Sequence, residues 1–418
     1  MTSNPKASAT SIRDKEDGTM KPGRLFYLDW LRVILLFGVF IYHVLKPFDP
    51  TIAWHINNAD KSDAIMAILM SINPWGIPLF FLVSGAGSWF ALRRRSNRQY
   101  ITERVNRLLL PLIVGSILLS PFQRYLEGLH QETYQGSFRN FIPEMISEYA
   151  SANWFTPAIF GRWGLHLWFL GFLFMFSLLG LPIFNWLKKK AGLSFADWLG
   201  RLVEKRGAIL LFILPLTLIR TVALTLAESE EHGWVDFIYF FFFFVLGYIM
   251  YSNDRFTKAV RRDRWLLFAS GVIGIGSFFV LSPIFGEEVV VEWGMKLVLP
   301  GSILANLFFV AIGWGWALFG LYLSMKYLNF INRVLVFGNE TIMPFYLLHQ
   351  PVIIVISYFV VQWDAGIFVK LLAVFFGSLL ILLALIQLLI RPFRPMRRLF
   401  GMRIQEPKKE VAKTAMAS

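Results

Sequence analysis

The side chains most able to do chemistry here are histidines and arginines set into apolar surroundings. The segment from Arg24 to Lys46, RLFYLDWLRVILLFGVFIYHVLK, carries Asp29, Arg32 and His43 in an otherwise apolar run. On a helix turning about 100° per residue, Arg32 and His43 return to nearly the same face, with the imidazole about 16 Å further along the axis. Asp29 lies one turn before Arg32 on that face. An imidazole titrates near neutral pH, so His43 could act as a general base. A charge inside lipid is costly, so this stripe is expected to face protein or a water-filled cavity. The plainer reading is that Asp29 and Arg32 mark one membrane boundary and His43 the other.

Further candidates follow along the chain. Arg104-Val-Asn-Arg107 places two guanidiniums three positions apart, where they can converge on a phosphate. Simple basic charge at a membrane boundary explains them equally well. Pro78-Leu-Phe-Phe-Leu-Val-Ser84-Gly85-Ala86-Gly87 offers small residues for close approach of a ligand or of a neighbouring helix. His166-Leu-Trp168-Phe-Leu opens another apolar run. Asn339 to Pro351 contains Tyr346 and His349 between Pro344 and Pro351. Those prolines can release backbone groups that line a cavity. Arg220 is a further charge inside an apolar run, with Glu228 or Asp29 as possible partners. No His-x-x-x-His or Glu-x-x-His spacing supports a metal site, so none is expected.

The elements that hold these residues are helices in a membrane. The 418 residues are 56% hydrophobic, 17% aromatic and only 16% charged, against about 25% charged in a soluble domain. Ten apolar windows occur, near 26–47, 68–92, 106–121, 164–187, 207–227, 236–251, 265–282, 299–324, 341–361 and 366–390. The third and sixth are short. The expectation is an all-α polytopic protein of about ten membrane-spanning helices. The polar, Lys- and Ser-containing residues 1–23 are expected to be disordered. An integral-membrane domain is expected over 24–395, followed by a basic tail over 396–418. The first segment reads as a retained helix, not a cleaved signal.

Charge fixes the expected orientation. With the N-terminus assigned to the cytoplasm, 32 of the 41 Lys and Arg fall in segments on that side. Seven fall opposite, and Arg32 and Arg220 lie within helices. By the positive-inside rule both termini are cytoplasmic. The net charge of +14 is thereby placed beside anionic lipid, and nucleic-acid binding is not expected. Cysteine is absent, which excludes disulfides and thiolate nucleophiles. The outer loops carry Glu228, Glu230, Glu231, Glu287, Glu288 and Glu292. A long outer connection, 122–163, is rich in Trp and Tyr, which suits sugar stacking or interfacial anchoring.

With these motifs in order, the chain resembles the membrane acyltransferase 3 family over roughly residues 24–395. That family comprises integral-membrane O-acyltransferases, including the glucan succinyltransferase type. Arg32 with His43, Phe80-Phe81-Leu-Val-Ser84-Gly85, Arg104 and Arg107 before Pro111, Leu-Trp168-Phe-Leu, and Tyr346-Leu-Leu-His349-Gln-Pro351 all match. Where an aromatic residue usually follows Ser-Gly, this chain has Ala86.

The resemblance implies that His43 is catalytic and that Arg104 and Arg107 hold the phosphates of cytoplasmic acyl-CoA. Arg32 would steady the donor part-way in. Asp29, Ser84, Gly85, Trp168, Arg220 and His349 would line the path. An acetyl- or succinyl-class acyl group would pass to a hydroxyl of an outer acceptor, a glycan. No tightly bound cofactor is expected, and the partners are acyl-CoA, the acceptor and membrane lipid. The implied setting is a bacterial cytoplasmic membrane, and the short tail leads to the expectation of a stand-alone enzyme. The rival from another class is a transporter with a polar central path. Inverted repeats, common in transporters, are not evident between the halves.

Overall fold

A computed structural model describes residues 25–51, 53–151, 153–227, 230–285 and 300–402. The segment 1–23, the tail beyond 402, and Glu228, Glu287, Glu288, Glu292 and Lys296 lie outside the described residues. The described residues are largely helical and contain no strand. The principal helices are α1 (Phe26–Leu45), α2 (Asp63–Leu92), α3 (Asn97–Arg104), α4 (Leu110–Leu118), α5 (Ser120–His130), α6 (Phe138–Ala150), α7 (Ile159–Gly164), α8 (Trp168–Leu187) and α9 (Lys190–Leu202). They continue with α10 (Ile213–Leu226), α11 (Trp234–Ser252), α12 (Asp254–Arg262), α13 (Arg264–Phe285), α14 (Pro300–Tyr327), α15 (Arg333–Val360), α16 (Ile367–Leu385) and α17 (Arg394–Leu399).

Among the described residues, nine helical stretches are long and apolar enough to cross a membrane. The tenth window, 265–282, falls on α13, whose described apolar part, Arg264–Ser277, is shorter. The chain is therefore an all-α integral-membrane protein.

Two expectations are corrected. The third window is part of a 34-residue span, Asn97–His130, which bends through a wide π-turn at Val105–Leu109. The connection 122–163 is largely helical, comprising most of α5 with α6 and α7. Ser137 caps α6 by accepting from the Asn140 N–H, and Phe138 and Phe141 pack on Tyr125. That amphipathic packing is too sparse in apolar residues to register as a membrane window. Residue 395 lies inside α17, and Met402 is buried.

The interior is built from rings. Phe81, Phe172, Phe176, Phe184, Phe243, Phe244 and Trp314 are fully buried. Phe184 stacks on Tyr248 with centroids 3.9 Å apart. Small residues let backbones meet where α2 crosses α11. A Cβ on Gly85 would stand 1.9 Å from the Phe244 carbonyl oxygen, and one on Gly247 2.0 Å from that of Leu82. This crossing holds α2 against the core, and α1 and α14 pack beside it.

Candidate active site

Three histidines from distant parts of the chain converge on one cavity. His43 comes from the last turn of α1, His349 from the middle of α15, and His166 from the 3₁₀ turn between α7 and α8. The His43 and His166 rings each lie 5.0 Å from that of His349, centroid to centroid. The cavity, about 420 Å³, is completed by Val39, Ile77, Phe80, Trp168, Phe169 and Tyr346.

Backbone carbonyls fix the tautomer of each ring. A carbonyl only accepts, so a ring nitrogen facing one must carry the proton when the imidazole is neutral. His43 Nδ1 faces Val39 O at 2.8 Å, which leaves its lone pair on Nε2. His349 Nδ1 faces Tyr346 O at 2.6 Å, and its Nε2 is buried with no hydrogen-bond partner among the described residues. His166 is reversed: Nε2 donates to Leu347 O at 3.2 Å, and the buried Nδ1 has no such partner.

The proline in α15 explains the last contact. Pro351 has no N–H, so the Leu347 carbonyl four residues earlier lacks its intrahelical donor. His166 supplies the missing proton. Tyr346 completes the clasp by donating its hydroxyl to the His166 carbonyl. The backbone of α15 and the turn before α8 are thus locked together at the cavity.

Two of the arginine candidates gather on one stretch of α2. Arg32 pairs with Asp29 at 3.3 Å and donates to Val83 O at 3.4 Å. Gly87 makes room for it, since a Cβ there would lie 2.5 Å from Arg32 Nη2. Arg104 donates to Ser88 Oγ at 3.2 Å and lies 4.7 Å over the Tyr100 ring, whose hydroxyl also meets Ser88 Oγ at 2.9 Å. Arg32 and Arg104 therefore fasten to Val83–Ser88 of one helix, which includes Ser84 and Gly85. Arg107 takes a different neighbour, Glu103 at 3.8 Å, which also pairs with Arg95 at 2.9 Å. The π-turn starts just after Arg104 and contains Arg107, and the two arginines take different local partners.

Of the path-lining candidates, Trp168 and His349 stand at the cavity. Asp29, Ser84 and Gly85 do not: Asp29 serves Arg32, Ser84 lies on the stretch that anchors the arginines, and Gly85 is at the helix crossing. Arg220 is buried in α10 with its guanidinium 4.4 Å over the Phe309 ring. Of the two partners considered for it, Asp29 pairs with Arg32, and Glu228 lies outside the described residues. Among the described residues no group of three His, Asp or Glu could hold a metal.

Sequence reasoning did not assign His166 and Tyr346 to the site. Their signal lay in the motifs themselves: His166 opens the Leu-Trp-Phe-Leu run, and Tyr346 precedes His349 by one helical turn.

The loop after α1 adds further contacts beside the cavity. It carries Trp54, whose ring lies 6.0 Å from that of His43. Next to it, His55 Nδ1 meets Glu127 at 2.8 Å, and Gln350 reaches His55 Nε2 at 3.1 Å. Lys46 and Asp49 form a buried pair at 2.8 Å. Burial pushes the Asp49 carboxyl up, but the Lys46 ammonium and the Thr51 N–H and hydroxyl outweigh it and hold it below the ordinary value.

Comparison with known proteins shows the family. The model of the acyltransferase 3 family, described as an acyltransferase domain, matches residues 25–391. The chain belongs to that family. Glucans biosynthesis protein C of Salmonella heidelberg (strain SL476) is 23% identical over 256 residues, 57% of this chain and 62% of the relative. The protein of the same name from Salmonella schwarzengrund (strain CVM19633) is 24% identical over the same shares. That from Salmonella paratyphi B is 25% identical over 174 residues, 40% of this chain and 41% of the relative. The chain thus spans about three-fifths of the length of the first two of these relatives. No solved structure matches it.

Proposed function

We propose that the protein transfers an acetyl- or succinyl-class acyl group from acyl-CoA to a hydroxyl of a glucan-type acceptor. The donor enters from the cytoplasmic side of a bacterial inner membrane, and the acceptor lies opposite. The observation that carries this reading is the His43 imidazole. Its proton is held on Nδ1 by Val39 O, and its Nε2 lone pair is left for chemistry at a cavity.

His43 Nε2 takes the proton of the acceptor hydroxyl as its oxygen attacks the thioester carbonyl. The tetrahedral intermediate collapses, the C–S bond breaks, and the CoA thiolate takes the proton back from His43. The products are an ester and free CoA. Ile77, Phe80 and Phe169 provide apolar surface for the acyl chain and limit water, which would hydrolyse the thioester. Arg32, Arg104 and Arg107 meet the donor's phosphates. The glucan acceptor is suggested by the name of the matched relatives, and the sidedness by the distribution of Lys and Arg.

The test is CoA release by purified protein in nanodiscs, with acetyl- and succinyl-CoA, with and without a glucan fraction. Glucan-stimulated release that disappears in His43→Ala protein of unchanged CoA affinity supports the reading. Equal release by the variant overturns the role of His43. Absence of CoA binding by folded wild type overturns the donor and favours transport.

A further inference from the structure

A second cavity lies beside α6 and α7. It is about 500 Å³ and is lined by Arg124, Glu148, Tyr149, Ser151, Asn153 and Arg162. Its walls are polar, whereas those of the histidine cavity are mainly apolar. The buried Tyr149 hydroxyl lies against the Arg124 guanidinium, and Trp163 Nε1 and Arg124 Nε are buried beside this cavity and meet no hydrogen-bond partner among the described residues. Such groups are costly to bury unsatisfied, so each invites a polar partner. An aromatic run stands alongside: Tyr149 packs on Trp163 at 4.8 Å, and Trp163 on Trp154 at 5.4 Å. Trp154 is 55% exposed and presents a free ring face.

We propose that this pocket binds a glycosyl unit of the acceptor. Sugar hydroxyls both donate and accept. The lining offers donors on Arg124, acceptors on Glu148, and groups that do both on Ser151, Asn153 and Tyr149. An exposed indole beside such groups suits the apolar face of a pyranose ring. Charge argues for a neutral sugar: Arg162 is engaged by Glu230, and Glu148 offsets Arg124. Interfacial anchoring alone does not account for this geometry. An anchoring ring keeps its polar tip wet, whereas Trp163 Nε1 and the Tyr149 hydroxyl are buried beside this pocket.

Two links join the pocket to the histidine cavity. Arg162, on its wall, precedes His166 by four residues, so their Cα atoms lie within about 14 Å. The turn between them is made at Leu165, whose φ of +52° is strained for a side-chain-bearing residue. The second link is the loop before α11. There Glu230 accepts from Arg162 and from Thr156, the latter at 2.8 Å. Two residues on, His232, also at positive φ (+58°), stacks on Trp168 with centroids 4.0 Å apart. A glycan held at the outer pocket is thereby placed beside the ring that borders the reacting centre.

This inference rests on the acyl-transfer reading, and its test separates the two. Saturation binding of neutral β-1,2-, β-1,3-, β-1,4- and α-1,4-linked gluco-oligosaccharides is measured on nanodisc-embedded protein. The forms compared are wild type, His43→Ala, Trp154→Ala and Asn153→Ala, with CoA affinity as the control for folding. The expected result is millimolar or tighter binding of at least one oligosaccharide to wild type and to His43→Ala. Trp154→Ala and Asn153→Ala should bind it at least tenfold more weakly. No saturable binding to wild type, or equal binding by all four proteins, overturns the glycosyl site. It leaves the role of His43, read separately from CoA release, intact.

Discussion

His43 and His349 meet edge to face, with ring centroids 5.0 Å apart and their planes inclined by 66°. Each is pinned through Nδ1 to a carbonyl of its own helix. Neither ring needs the other to set its tautomer, so His43 can gain and lose a proton without repacking α15. His43→Ala is accordingly expected to lower kcat by about 10²–10⁴, the usual worth of a general base. Steady-state CoA release measures this, and an unchanged KM for acyl-CoA would mark the loss as chemical.

Pro351→Ala separates stability from turnover. The alanine returns an N–H to the Leu347 carbonyl, which then no longer needs His166. The helix should gain up to about 3 kcal/mol from the lost proline penalty. Turnover should fall at least tenfold as His166 loses its anchor. Thermal unfolding and CoA release on the same preparation give both values, and a variant that is more stable and equally active contradicts the anchoring role.

Gly87→Ala and Gly85→Ala should fail differently. At Gly87 the new methyl meets only the end of the Arg32 side chain, which can swing away. The protein should fold normally, with KM for acyl-CoA raised about tenfold. At Gly85 the methyl meets the Phe244 backbone, which cannot yield without parting α2 from α11. The cost should be about 3 kcal/mol or more, read as a lower unfolding temperature in detergent.

Asp49→Ala removes the partner of buried Lys46, which should cost about 3–5 kcal/mol. The wild-type pair also predicts a pH dependence. A carboxyl held below its ordinary value stabilises the fold above that value, and the contribution is lost as pH falls through its folded pKa. Unfolding temperatures followed from pH 7 down through the carboxylate range should converge for wild type and Asp49→Ala. Parallel curves contradict the assignment.

Much of this was legible in the sequence because membranes impose simple rules. Apolar run length marked the helices, and charges inside them marked Arg32, His43 and Arg220 as unusual. The meeting of His43, His166 and His349 was not legible, because helix packing sets it and no spacing encodes it. The role of Pro351 was legible only in part: a freed carbonyl was expected, but not that His166 would satisfy it. Gly85 and Gly87 read alike as small residues, yet one seats a backbone and the other a guanidinium. The helices α6 and α7 escaped notice because half-buried amphipathic turns lack long apolar runs.

The most direct measurement of the central claim uses sealed proteoliposomes. Acetyl- or succinyl-CoA labelled in the acyl group is supplied to the face carrying Arg104 and Arg107, with a β-glucan enclosed on the other. The expected result is labelled glucan in the lumen with wild-type protein and none with His43→Ala. Label on glucan with His43→Ala, or only on glucan placed on the same side as the CoA, would contradict it.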